Sequence, residues 1–171
     1  MSHPHIACAS NNAWANRTLH GALTPLSREA FMAKRPGFFP SLAATLNHIY
    51  EVDLYYIDAL TEGGLGRSVY DRDDIHDAAE LGTLQAASDA RLLEFCMGLA
   101  DADLDRRVET ERQDGMTTET IGNLLPHLFQ HQVHHRGQAH VQLQDAGIDP
   151  PQLDDFFLEY GRVPTADAYP R

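Results

Sequence analysis

Between Leu42 and Leu60 the large apolar side chains return every three or four residues, at Leu42, Leu46, Ile49, Val52, Tyr56 and Leu60. That period matches the turn of an α-helix and puts the set on one face. Ser41, preceded by Pro40, opens the segment. A serine hydroxyl there accepts from a backbone N–H that the first helical turn leaves free. Gly63, Gly64 and Gly66 close it. A helix of about five turns with one apolar face gains most of its stability by packing that face on other elements.

The rest of the chain supplies partners. Ile6 to Leu23 predicts a first helix, with Ala7, Trp14, Leu19 and Leu23 near one face and Thr24-Pro25 ending it. Ser27 to Lys34 predicts a short helix, broken by Pro36-Gly37. Arg67 to His76 is polar and reads as a loop. Ala79 to Leu99 predicts a further long helix whose buried stripe is Leu84, Ala87, Leu92, Phe95, Cys96 and Leu99. Val108, Thr110 and Met116 flank Asp114-Gly115, a two-residue turn signal, and predict a hairpin between Arg106 and Thr118. The last long helix is expected from Ile121 to Ala146, with Leu124, Leu128, His131, His135, Val141 and Leu143 near one side. Gly147 and Pro150-Pro151 stop it. Pro126 lacks an amide hydrogen, so a kink or a later start is expected there. Leu153 to Tyr160 is apolar enough to pack back as a helical turn. The expected architecture is all-α: a four-helix bundle with a small β-hairpin before the last long helix, forming a single domain over residues 1–171.

Charge limits the partners. Thirteen basic and 25 acidic side chains leave a net charge of −12, and Lys34 is the sole lysine. A phosphate-gripping face needs clustered Lys and Arg, so nucleic acid and anionic membranes are disfavoured. No apolar run approaches the roughly 20 residues that cross a bilayer. The first twelve residues lack the basic and apolar stretches of a signal peptide. Cys8 and Cys96 lie far apart in no metal or redox spacing. These features lead to the expectation of a cytoplasmic protein in a reducing compartment.

The histidines carry the chemistry. Ten are present, and five fall between His127 and His140. His131 and His135 sit four residues apart on a predicted helix, about 6 Å apart along its axis, where two imidazoles can converge on one metal. His127 and His131 share that spacing, so spacing alone leaves both registers open. The residue after His131 is Gln132, not the glutamate of the zinc protease motif. A catalytic zinc-type site takes three protein ligands, and His48, alone among histidines in the helix after Ser41, is the third candidate.

The segment from His131 to Gln138, together with Asn12-Ala-Trp-Ala-Asn16, Thr45-Leu-Asn-His48 and Asp149-Pro-Pro-Gln-Leu-Asp154, resembles the DinB-like family. The resemblance spans nearly the whole chain. It implies a four-helix bundle, usually dimeric, whose metal is held at the positions of His48, His131 and His135. Gln130 stands where an asparagine is common in the family. Related bundles include transferases and isomerases that use low-molecular-weight thiols. The metal is expected to be one divalent transition ion, zinc or nickel first, with iron and copper also suited to imidazole ligands.

Several neighbours carry two readings each. Asp53 is either a support for a ligand imidazole or, preferably, a surface acid. Arg136 and Gln138 either serve the site or make solvated or interhelical contacts. Gly137 marks either a close helix approach or a tolerated defect. Trp14 is expected in the core rather than as a pocket wall, His134 at a surface or interface, and His127 outside the ligand set. Two functions follow. One is a metal-dependent enzyme that activates a small thiol or water, of transferase or hydrolase type. The other is a non-catalytic metal-binding stress-response protein. DNA repair, suggested only by the family's name, is opposed by the charge.

Overall fold

The computed structural model describes residues 4–170; residues 1–3 and 171, which the sequence reading places in the same domain, lie outside the described residues. In chain order the elements are α1 (Pro4–Ala22), α2 (Arg28–Met32), α3 (Leu42–Leu60), α4 (Ala78–Gly98), β1 (Arg107–Arg112), β2 (Gly115–Thr120) and α5 (Ile121–Asp145), with 3₁₀ turns at Gly66–Asp71, Asp101–Asp105 and Pro164–Ala168. The four long helices form the bundle: α1 packs on α4 and α5, and α3 on α4 and α5.

Caps explain the starts. Ser27, Ser41, Asp77 and Thr120 each accept a first-turn N–H on α2, α3, α4 and α5. Pro126 lies inside α5, which begins at Ile121, five residues before it. The expected later start is therefore not observed. The α2 and tail expectations shift further. The short helix is confined to Arg28–Met32. The tail forms turns but no helix over Leu153 to Tyr160; its 3₁₀ segment is at Pro164–Ala168. The first part of the 67–76 segment, expected as loop, joins Gly66 in a 3₁₀ turn over Gly66–Asp71.

The hairpin corrects its turn by one residue. Arg112 pairs with Gly115, so Gln113 and Asp114 form the loop, and Gly115 belongs to β2 at φ +123°. Glycine is needed because a side chain disfavours that backbone region.

Each long helix contributes to two apolar clusters with a polar belt between them. Ala9, Val52, Tyr56, Leu92 and Leu128 belong to one cluster. Leu19, Leu46, Ile49, Leu81 and Leu143 belong to the other. Between them lie the buried Asn12, Asn16, Asp53, Gln85, Asp89, Gln132 and Arg136. Two residues assigned to buried stripes face outward instead: Ala87 is exposed and Val141 is 56% exposed. Polar Gln85, Ser88 and Asp89 take the inward positions of α4.

The outer side of α1 is closed by the tail. Phe156, fully buried, packs on Trp14 with ring centroids 5.7 Å apart, and Trp14 Nε1 donates to Thr165 Oγ1 at 3.0 Å. The Arg162 guanidinium covers the other ring of the pair, 4.5 Å from the Phe156 centroid. Phe156→Ala is therefore expected to destabilise the protein by about 3–5 kcal/mol, the usual cost of emptying a buried aromatic site. A urea unfolding series checks it; a loss below about 1 kcal/mol would show that the tail is not part of the cooperative core.

Candidate metal centre

His48 projects from α3, and His131 and His135 from α5, into the seam between those helices. One nitrogen from each ring lies within 4.8 Å of the other two, and among the described residues no carboxylate or thiol joins the group. The ring centroids are 5.0 Å apart for His48–His131, 4.6 Å for His48–His135 and 4.3 Å for His131–His135. Nε2 of His48 and Nε2 of His131 are 3.0 Å apart. Nitrogens bound to one ion at about 2.05 Å lie about 2.9 Å apart at 90° and about 3.3 Å apart at tetrahedral angles, so this pair fits a shared metal. The spacing also suits one ring donating to the other. The third imidazole adds nothing to a two-ring hydrogen bond but completes a three-donor set that could hold a metal ion.

The rings are neutral, as metal ligands must be. Burial, reinforced by the neighbouring imidazoles, holds His48 down to about 4 and His131 to about 3. Burial also lowers His135, against a raising contact from Gln138. Gln138 Oε1 lies 2.8 Å from His135 Nδ1. Accepting a proton there leaves the Nε2 lone pair for an ion. His131 Nδ1 is buried with no protein partner.

Phe39 lies over the cluster, its ring centroid 4.6 Å from His48 and 5.6 Å from His135. Its loop is tied to α5: Gln142 Nε2 donates to the Phe39 carbonyl at 2.9 Å, and Thr45 Oγ1 donates to Gln142 Oε1 at 2.7 Å. Sequence reasoning missed Phe39, since nothing in Pro36–Pro40 marks which ring turns inward.

Behind the histidines lies the polar belt. His131 and Gln132 are adjacent, as are His135 and Arg136, and a step of about 100° per residue turns one of each pair to the seam and the other to the interior. Arg136 Nη1 donates to Asn12 Oδ1 at 2.6 Å, Asn16 Oδ1 at 2.9 Å and Gln132 Oε1 at 3.3 Å. Asn12 and Asn16 in turn donate to Asp89 Oδ1 at 3.1 and 2.9 Å. Gln85 Nε2 bridges Asp53 at 2.6 Å and Asp89 at 3.1 Å, and Gln132 Nε2 donates to the other Asp53 oxygen. Burial raises Asp53 to about 6 and raises Asp89 well above the usual carboxylate range, helped there by the charge of Asp53. Burial also lowers Arg136 to about 10, which leaves it a cation at neutral pH.

These contacts correct several expectations. Asp53 is not a surface acid; it is fully buried, and its partners are glutamines rather than a ligand ring. Arg136 is buried, not solvated, and it bonds to amide oxygens rather than in a salt bridge. Gly137 marks no close approach, since a Cβ there would meet nothing within 4 Å. Trp14 is in the core and His134 is exposed, as expected. His127 stands outside the three-histidine group, with its Nε2 3.1 Å from Tyr56 Oη. The belt residues Asn12 and Asn16 had a signal, two amides four residues apart in an apolar helix. Gln85 and Asp89 share that spacing on α4.

The sequence model of the DinB family matches residues 1–166. Protein DinB of Bacillus subtilis strain 168 is 26% identical over 148 residues, covering 84% of this chain and 86% of that protein. The crystal structure of a DinB-like protein from Bacillus cereus ATCC 10987 superposes with a TM-score of 0.64 at 19% identity, over 81% of this chain and 90% of that one. A DinB-like protein from Bacillus subtilis gives 0.62 at 18% identity, over 85% and 96%. These two structures share the fold.

The buried histidines set a pH dependence. His20 and His48, each lowered to about 4, and His131, lowered to about 3, all titrate below the roughly 6.5 of an unfolded chain. The folded state then binds fewer protons than the unfolded state. Their contribution is present above about pH 6.5 and is lost as the pH falls. Asp53, raised to about 6, and Asp89, also raised, act in the opposite sense, costing stability as the pH rises above about 4. With His135 and His140 also lowered, the histidines outnumber the acids. Metal-free protein is expected to lose stability steadily from pH 7 to pH 4 in urea melts, and Asp53→Asn to steepen the loss. A profile that is flat or improves on acidification contradicts neutral histidines.

Proposed function

The chain belongs to the DinB family, and from that premise we propose that it is a metal-dependent enzyme in which His48, His131 and His135 hold one divalent transition metal and a small thiol or a water is the group activated. The observation that carries this reading is the convergence of three neutral imidazoles with no fourth protein ligand among the described residues. Three protein ligands with an open position characterise catalytic rather than structural zinc-type sites. A divalent ion held there supplies a lowered pKa to a bound thiol or water.

The chain's own residues have the remaining roles. Gln138 fixes the tautomer of His135, and Phe39 shields one side of the cluster from water. Imidazole donors suit zinc and nickel first, then iron and copper. The net charge of −12 favours a small molecule, in particular a low-molecular-weight thiol, over nucleic acid. The free Cys8 and Cys96 fit a reducing, cytoplasmic setting. A homodimer is supported by Val133, Gly137 and Val141, exposed at four-residue steps along α5. The second reading, a non-catalytic metal-binding stress-response protein, is favoured by one feature. Asp53, the carboxyl five residues beyond His48, is turned into the polar belt and is not available as a base.

Elemental analysis of untagged protein, purified without a metal column, tests the site. About one metal per chain is expected in wild type, with loss in His131→Ala and His135→Ala. Gln138→Ala is expected to weaken metal affinity about 10- to 100-fold, the usual effect of removing a ligand's hydrogen-bond partner. Wild-type protein that holds no metal, and takes up neither zinc nor nickel when they are added, overturns the reading.

A further inference from the structure

The α3–α5 seam continues past the three histidines into a second cluster. Positions 48, 52 and 56 on α3 and 135, 131 and 127 on α5 advance in steps of four, so Tyr56 and His127 follow the metal candidates along the same groove. Arg112, at the end of β1, meets Tyr56 at that end of the seam. Arg112 Nη1 donates to Tyr56 Oη at 3.2 Å, and Tyr56 Oη lies 3.1 Å from His127 Nε2. The guanidinium carbon sits 5.9 Å from the Tyr55 ring centroid and 5.7 Å from that of Tyr56. The strand end is anchored, because Tyr55 Oη donates to the Glu111 carbonyl and the Glu111 carboxylate accepts from Arg67 N at 2.8 Å.

Hydrogen-bond accounting shows what this cluster lacks. Tyr56 Oη accepts from Arg112, and its own proton can go to His127 Nε2; in that tautomer the His127 proton sits on Nδ1. What remains is donors: the rest of the Arg112 fork and the His127 Nδ1–H. Among the described residues no carboxylate lies within ion-pair distance of Arg112, and Glu119 acts on it only at longer range. A partly buried guanidinium, held in place and left with donors alone, is built for an acceptor from outside. One positive charge matches a monoanion better than a phosphate dianion.

We propose that Arg112, Tyr56 and His127 form a carboxylate-recognising subsite of the seam, so that the molecule bound beside the three histidines carries a carboxylate about two helical turns, on the order of 10 Å, from the atom held at the histidine cluster. This rests on the metal-site reading for the position of the reacting end, but not for the anion site itself. Gln138 and Phe39 shape the histidine end; Arg112 selects at the other end.

The test uses cobalt-loaded protein and two thiols of one length, 8-mercaptooctanoate and 8-mercaptooctan-1-ol, long enough to span about 10 Å. Binding is read from the sulfur-to-cobalt charge-transfer absorption. Wild type is expected to bind the carboxylate at least about tenfold tighter. Arg112→Gln is expected to bring the ratio close to one, and Tyr56→Phe to reduce it. Arg91→Gln, on the exposed side of α4, should keep it and so exclude a net-charge effect. A ratio near one in wild type, or one that survives Arg112→Gln, overturns the proposal. If no cobalt loads, the metal-site reading fails, and the subsite is tested separately. Metal-free protein is titrated with butyrate and with inorganic phosphate, following the His127 ring resonances by NMR. Butyrate-induced shifts that vanish in Arg112→Gln support the subsite. No shift, or tighter binding of phosphate, overturns it.

Discussion

Everything in the bundle depends on how a buried guanidinium is accommodated. Arg136 is 5% exposed, and its hydrogen bonds run to amide oxygens on α1 and on its own helix, not to a carboxylate. Its charge is answered at one remove, through Asn12 and Asn16 to Asp89 and through Gln132 to Asp53. One cation facing two carboxyls balances when the pair retains one proton, and burial with mutual repulsion favours Asp89 as its holder. Such a belt adds little net stability compared with a well-packed apolar layer. Removing one member leaves an uncompensated buried group, at a cost of about 3–5 kcal/mol. Its effect is on register. Each long helix must place a particular polar residue at one height, with apolar clusters above and below. A slip of one turn by any helix would bury an unpaired amide or charge.

That register also places the candidate site. Because Gln132 and Arg136 must face inward, His131 and His135 must face the α3 seam. Because Asp53 must meet Gln132 and Gln85, His48 must stand about one and a half turns away on the same helix, opposite those rings. The belt therefore positions the histidines without touching their nitrogens. It also removes the nearest acid from their surroundings. The cluster is left with three neutral donors and contributes no charge of its own.

The sequence displayed the bundle well, because helical period, caps and glycine or proline stops are local properties. Spacing alone displayed the histidine set partly, since two registers on α5 were equal; the family resemblance implied His48, His131 and His135, and the structure brings those three together. The rest was hidden for identifiable reasons. A single acid among apolar residues reads as a surface group, and Asp53 is buried only because glutamines from two other helices meet it. Ala87 and Val141 fit an apolar stripe by type, yet the inward positions went to Gln85, Ser88, Asp89 and Gln142, since the interior is polar at those heights. The hairpin turn moved by one residue because Gly115 was needed in the strand at a positive φ, not inside the loop.

Arg112 had no signal in the sequence at all, and the reason shows how the hairpin serves the seam. Tyr55 and Tyr56 are consecutive on α3, so their hydroxyls point to different places: Tyr55 ties down the β1 carbonyl of Glu111, and Tyr56 meets the next side chain, Arg112. The loop after α3 is locked from the other side. Asp58 accepts from Leu65 N and Gly66 N, each at 2.9 Å, and Glu111 accepts from Arg67 N. Gly66 sits at φ +53°, a backbone region that side chains disfavour, and a Cβ there would push the Glu111 carboxylate aside. A two-stranded hairpin is marginal by itself. Here it is held by α3 and by the loop, and Arg112 is delivered to a fixed place at the end of the groove. The short sheet is thus best understood as a mount for one guanidinium, and its position relative to the three histidines is set by the same helix that carries His48.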